Sequence, residues 1–168
     1  MAQRFRGESL QKLDSKGRVS VPALFRRVIE AGDPNWAEGQ RPNFVIVYGT
    51  QRQHHLECYT MASIADIDRR IARMPLGSKD RKMLERIYQS FALPTQVDED
   101  GRIVLPQKLR DKIALAGEAF FIAAGDRFEI WKPETYAAEV GDEAEDWLDG
   151  MPEDFDPRAL LPELPEET

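Results

Sequence analysis

Residues 14–26 read Asp14-Ser15-Lys16-Gly17-Arg18-Val19-Ser20-Val21-Pro22-Ala23-Leu24-Phe25-Arg26, and residues 98–110 read Asp98-Glu99-Asp100-Gly101-Arg102-Ile103-Val104-Leu105-Pro106-Gln107-Lys108-Leu109-Arg110. Asp, Gly, Arg, Pro and the closing Arg recur at one offset of 84 residues (98 − 14), with an apolar pattern kept between Arg and Pro. Recurrence at a fixed spacing marks a tandem duplication. Gly17 and Gly101 stand where a tight turn calls for a positive φ, which a residue without a Cβ adopts at least cost. The Asp three positions earlier can accept hydrogen bonds from that turn through its short side chain. Arg18-Val19-Ser20-Val21 and Arg102-Ile103-Val104-Leu105 then alternate as short strands, with Val19 and Val21, or Ile103 and Leu105, on one face and the arginine on the opposite, solvent face. Pro22 and Pro106 suit the first turn of a helix, where a missing N–H costs nothing. The pattern predicts a helix over 23–30 closing near Gly32 and a copy over 107–114 closing near Gly117.

Outside the repeat, residues 33–42 hold Pro34, Gly39 and Pro42 with no apolar period and read as a loop inserted in the first half. Phe44 to Tyr48 and Leu56 to Tyr59 read as strands, matched later by Ala119 to Ala123 and Phe128 to Trp131. Gly125-Asp126 predicts a tight hairpin, and the first copy's connection from Gly49 to His55 is longer. Between the halves, Ile64, Ile67, Ile71 and Met74 recur at helical spacing, Pro75-Leu76-Gly77 interrupts, and a second helix over 79–90 carries Met83, Leu84 and Ile87 on one side. Tyr136, Val140, Ala144, Trp147 and Leu148 predict one further amphipathic helix, weakened by Gly141. Pro152, Pro157, Pro162 and Pro165 among carboxylates then predict a disordered tail.

Charge is distributed unevenly. The chain of 168 residues carries −7 overall, yet twelve acidic residues against Arg158 alone place −11 in residues 139–168, which leaves 22 basic and 18 acidic residues, +4, in residues 1–138. Arg4, Arg6, Lys12, Lys16 and Arg18 stand against Glu8 and Asp14 around the first motif, the electrostatic footprint of phosphate contact and equally that of a solvated basic turn. A single cysteine, Cys58, excludes an intramolecular disulfide framework, and the absence of a long apolar run points to a cytosolic protein. His54, His55, Glu57 and Cys58 offer metal-ligating types, but neighbours on a strand point to opposite faces, so no metal site is expected. With two histidines in the chain and no phosphate loop, the residues supply no nucleophile and base set, and no catalytic function or cofactor is expected.

The doubled Asp-x-x-Gly-Arg motif, each copy followed by a strand and a Pro-led helix, resembles the MraZ family, part of a wider swapped-hairpin barrel group with AbrB and MazE-type antitoxins. Phe5-Arg6-Gly7, Ser90-Phe91-Ala92 and Arg127-Phe128-Glu129-Ile130-Trp131 extend the likeness, which covers roughly residues 4–136. It implies an α+β fold of two AbrB-like β-barrel halves with pseudo-twofold symmetry, over 4–60 and 92–136. Connecting helices over 61–91, a C-terminal helix over 137–150 and an acidic, Pro-rich tail over 151–168 complete the expected organisation.

The resemblance also implies that the first turn meets DNA, which places Lys16 and Arg18 on phosphates or base edges. Local basicity adds Arg4 and Arg6 as further contacts, and the departure from the family pattern at Asp100, where the first motif has Lys16, makes Arg102 a secondary contact. Asp14, Gly17, Asp98 and Gly101 shape the turns. The implied partners are double-stranded promoter DNA and other copies of the chain in a ring-shaped homo-oligomer, with no membrane or small-molecule substrate and a cytoplasmic, nucleoid-associated location. Its implied target is the bacterial division and cell-wall gene cluster, usually repressed. The alternative is an antitoxin-like protein-interaction module sharing the barrel; an enzyme is the least supported reading.

Overall fold

The structure, a computed structural model, describes residues 4–166; Glu167 and Thr168 of the acidic tail lie outside the described residues. The chain runs β1 (Glu8–Lys12), β2 (Arg18–Ser20), α1 (Ala23–Ala31), β3 (Asn43–Val47), β4 (Leu56–Thr60), α2 (Met61–Ala72), α3 (Lys79–Glu85), a π turn (Arg86–Ser90), β5 (Ala92–Gln96), β6 (Arg102–Val104), α4 (Gln107–Lys112), β7 (Glu118–Ala124), β8 (Arg127–Trp131), α5 (Pro133–Glu139), α6 (Glu143–Asp149) and a 3₁₀ turn (Pro157–Leu160). Residues up to Thr135 form one compact unit and those from Tyr136 a second.

In the first unit six strands make one antiparallel sheet in the order β1-β7-β8-β4-β3-β5, and β2 pairs with β6 in a separate two-stranded sheet. The halves exchange their leading strands. β1 of the first half pairs with β7 of the second, and β5 of the second pairs with β3 of the first. In the small sheet Val19 lies opposite Ile103, its equivalent in the repeat. Neither half completes its own sheet, so neither can bury its apolar strand face alone.

Because β1 and β5 remain free edges, the sheet is open, and the closed barrel expected from the resemblance is not formed. Pro22 and Pro106, which have no N–H to donate, follow directly on Val21 and Leu105 and stop the small ladder; its last bonds run from Val21 N to Gly101 O (2.9 Å) and from Leu105 N to Gly17 O (2.8 Å).

Alternation decides what the large sheet buries. Phe44, Ile46, Leu56, Cys58, Ala119, Phe121, Phe128 and Ile130 face α1, α4 and the small sheet in the main core. Phe128 sits at its centre, with the rings of Phe5, Phe25, Phe44 and Phe121 5.1, 5.0, 5.9 and 5.9 Å away. On the other face Val45, Val47 and Tyr59 pack with Ile64, Ile67 and Ile87, which puts these three members of the helical stripe against the sheet.

Three helices differ from expectation, the first being that expected over 79–90, which is α-helical to Glu85 and closes in the π turn Arg86–Ser90. The copy expected over 107–114 ends at Lys112, where Leu115 N donates to Arg110 O (2.8 Å) and Ala114 N to Asp111 O (3.1 Å), with Ala114 at φ 52°. This is a Schellman closure with alanine in the usual glycine position, held by burial of Leu115 in the core. The single helix expected across 136–148 divides into α5 and α6 because Gly141 takes φ 51° and ends the first one. Within the second unit Trp147 meets Phe155 edge to face at 5.9 Å, and the tail holds the 3₁₀ turn, opened by Asp156 accepting from Arg158 N (3.0 Å).

Candidate nucleic-acid interface

Each glycine turn is built from its own aspartate. Asp14 Oδ1 accepts from Lys16 N (3.0 Å) and Arg18 N (2.8 Å), while Gly17 at φ 84° lets its N–H return to Asp14 O (3.1 Å). Asp98 Oδ1 accepts from Asp100 N and Arg102 N, both at 2.9 Å, with Gly101 at φ 75°. The four residues read as turn-shaping in the sequence therefore make the turns. The backbone bond from Arg18 N, aided by the Arg18 guanidinium and Lys16 N against a smaller burial effect, holds the Asp14 carboxyl below its usual range.

The two motif arginines are held differently. Arg18 gives Nε to Asp14 Oδ2 at 2.6 Å, its side chain is 41% exposed, and Nη1 and Nη2 take no partner among the described residues. A guanidinium fixed at one edge keeps its outer fork free for a planar acceptor pair. Arg102 instead spends Nη2 on Asp100 Oδ2 at 3.2 Å, and its buried Nε has no partner among the described residues. Because β2 pairs with β6, Arg18 and Arg102 line one groove with Lys12, Asp14, Ser20 and Glu118. Both are half-buried there rather than fully on the solvent face, and Lys16 is exposed at the turn tip.

Arg4 and Arg6 flank Phe5, which is buried in the main core with its N–H on Gly125 O (2.9 Å). Both arginines are exposed, but Arg4 lines a different groove, with Asp66, Arg70 and Asp126, and is not brought to the turns.

The inserted loop at 33–42 carries groups that the sequence reading did not connect to the motif. Asp33 ties it down by accepting from Asn35 N (3.1 Å) and Asn43 N (2.9 Å), and Arg41 pairs Nε and Nη2 with Glu99 of the second turn, both at 2.8 Å. The acidic second turn thus has both its arginine and a neighbouring one engaged by its own carboxylates. Arg26 and Arg110, the closing arginines of the repeat, are marked in the sequence only by their recurrence at the offset of 84.

Of the metal-ligating candidates, Cys58 points into the core, where burial, with the Glu57 and Glu129 charges, pushes its thiol well up, and His54 is exposed. His55, which directly precedes β4, and Glu57 within it meet Glu129 of the other half, with His55 Nε2 3.4 Å from Oε2 of each glutamate. Arg127 Nη2 reaches the same two oxygens at 3.1 and 2.9 Å, so a guanidinium already meets the charge that would draw a cation.

A family model described as "MraZ protein, putative antitoxin-like" matches residues 4–87 and 92–146, one copy on each half. A protein of Ruegeria pomeroyi is 62% identical over 161 residues, covering 96% of both chains. One of Cereibacter sphaeroides (strain ATCC 17025) is 49% identical over 86% of this chain and 89% of its own. One of Leuconostoc citreum is 30% identical over 90% of this chain and 99% of its own, and all three carry the name "Transcriptional regulator MraZ". With the repeat, the twin turns and the match over both halves in agreement, the chain belongs to the MraZ family.

Proposed function

We propose that the protein is a sequence-specific DNA-binding transcriptional regulator in which the first turn leads contact. The observation that carries this reading is the contrast at the shared groove: Arg18 is held by Asp14 at one edge with its fork free, beside exposed Lys16, whereas Arg102 is engaged by Asp100. The names of the relatives support the regulatory role. In this reading the halves are AbrB-like units about a pseudo-twofold axis passing between Val19 and Ile103, an arrangement supported by their pairing. One such unit offers few phosphate contacts, so several copies assembled as a ring on repeated promoter boxes multiply them through effective concentration. The target is the promoter of the division and cell-wall gene cluster, and the outcome is repression. Among the described residues no helix is long and apolar enough to cross a membrane.

Binding to fragments selected from the organism's own genome, measured at several salt concentrations, tests this. Arg18→Ala should cost about 1–3 kcal/mol and flatten the salt dependence by about one phosphate contact, with Arg102→Ala costing less. Equal losses defeat the asymmetry, unchanged affinity in Arg18→Ala defeats the leading role of Arg18, and no salt-dependent binding by the unmodified chain defeats the DNA reading.

A second reading, an antitoxin-like interaction module, draws on the wording of the family description and on the tail, where Leu160, Leu161 and Leu164 are exposed among carboxylates. A copurifying toxin would favour it.

A further inference from the structure

The closing arginines of the repeat sit on the glycine turn of the opposite half. A Cβ built on Gly17 would lie 2.9 Å from Nε of Arg110, and one built on Gly101 would collide with Nη1 of Arg26 and lie 2.8 Å from its Cζ. The arrangement is reciprocal: Gly17 and Gly101 are equivalents, as are Arg26 and Arg110, at the offset of 84 (110 − 26). Both glycines are buried and both arginines are half-buried, so each guanidinium lies against a turn whose backbone has no side chain to hold it off. The two arginines differ in tether. Arg110 Nε donates to Leu105 O at 2.9 Å, and Leu105 N in turn donates to Gly17 O at 2.8 Å, so Arg110, Leu105 and Gly17 form one connected set. Arg26 Nε is buried with no partner among the described residues.

We infer that Arg110, in the second half, is the positioning residue for the Lys16 and Arg18 turn of the first, and that Arg26 serves the Arg102 turn in the same crossed manner. The DNA consequence rests on the function proposed above; the crossing itself does not. A guanidinium bonded to a backbone carbonyl and packed against a glycine limits the height and tilt that turn can take. Arg18, whose Nε is held by Asp14 of that same turn, is thereby aimed. The sequence places Arg26 next to the first motif and Arg110 next to the second, so a reading by proximity along the chain assigns each to the wrong turn.

Double-mutant cycles on DNA binding read the crossing directly. Arg110→Ala should weaken binding on the order of tenfold, as a misaimed Arg18 would. It should add nothing once Arg18 is alanine, and add fully to Arg102→Ala. Arg26→Ala should show the opposite coupling, to Arg102 and not to Arg18. Arg110→Lys separates position from charge: it keeps the cation and loses the planar clamp, so it should bind as weakly as Arg110→Ala. Binding restored by lysine, or coupling of Arg26 to Arg18 within one half, overturns the inference.

Backbone amide exchange in the free protein reads the same crossing without DNA. Exchange at Lys16 and Arg18 should speed up in Arg110→Ala while Asp100 and Arg102 stay protected, with the reverse in Arg26→Ala. Faster exchange in the turn of the same half, or in both turns alike, overturns it. Failure of the DNA reading appears separately, as an unmodified chain that shows no salt-dependent DNA binding while the exchange pattern still crosses.

Discussion

Three glycines in left-handed conformations differ in what an added methyl would meet, and alanine at each should destabilise the fold in a defined order. Gly7, at φ 100°, has nothing within 4 Å of a built Cβ, so Gly7→Ala bears dihedral strain alone, about 1–2 kcal/mol. At Gly101, φ 75°, the added methyl meets only the far end of Arg26, which can swing away at the expense of its packing. At Gly17, φ 84°, the methyl collides with the backbone carbonyl of Leu105, a residue with 0% exposure that cannot retreat. The bond from Leu105 N to Gly17 O, 2.8 Å, is strained as well, which adds about 1 kcal/mol, so Gly17→Ala should cost about 3 kcal/mol or more. The matching bond from Val21 N to Gly101 O, 2.9 Å, gives each turn one such ladder bond, and both glycines face an arginine, so an excess cost at Gly17 reports mainly the added backbone obstruction. Urea unfolding at one fixed protein concentration measures the series, and in a chain of this size about 3 kcal/mol corresponds to a loss of about 6–12 °C in Tm. Gly101→Ala costing as much as Gly17→Ala, or Gly7→Ala costing the most, would refute the reasoning.

The remaining predictions concern the core and the charged cluster on the large sheet. Phe128→Ala should cost about 3–5 kcal/mol, because the ring is fully buried among four other phenylalanines; a calorimetric loss under about 1 kcal/mol would mean that the core collapses to fill the space. Burial pushes the Glu57 carboxyl up, but the His55 hydrogen bond, the charges of Arg127 and His55, and the Tyr59 hydroxyl together bring it below its usual value. A carboxyl lowered on folding contributes stability above its unfolded value of about 4.3 and loses it as pH falls through the lower folded value. Glu57→Gln should therefore show a shallower decline of Tm below about pH 4.5 than the unmodified chain. Arg127→Ala should destabilise more than His55→Ala at neutral pH, by about 3 kcal/mol or more, since it leaves two facing carboxylates without their fixed cation; equal losses in a thermal melt would argue that the imidazole shares the charge equally.

The twin turns were legible because their chemistry is local: an aspartate, a glycine and the amides between them lie within five residues of each other and need no distant partner. Strand faces were legible for a similar reason, since alternation alone sends Val19 inward and leaves Ser20 exposed. Strand partners were not. Nothing in Glu8–Lys12 shows that it pairs with β7, more than a hundred residues away, and the open sheet follows from that exchange. The early end of α4 escaped notice because the residue taking the left-handed angle is Ala114, with Gly117 standing nearby as a more obvious stop. Likewise Arg41 is an unremarkable loop cation until the fold brings it to Glu99, 58 residues away along the chain.

Carrying both halves in one chain also lets facing positions hold different residues. Leu56-Glu57-Cys58-Tyr59 and Phe128-Glu129-Ile130-Trp131 match at an offset of 72 (129 − 57), and Glu57 lies directly opposite Glu129 across β4 and β8. Their outer oxygens are satisfied in parallel, Glu57 Oε1 by Tyr59 Oη at 3.2 Å and Glu129 Oε1 by Trp131 Nε1 at 3.0 Å. The bases aimed between them are also equivalents at that offset, but one is His55 and the other Arg127. Two identical chains would place two identical bases there, either two fixed cations or none. One chain with two copies holds a guanidinium and an imidazole against the same carboxylate pair. The same freedom separates Lys16 from Asp100 at the turn tips, so the two halves can share a scaffold and still present unequal charge to whatever meets the groove.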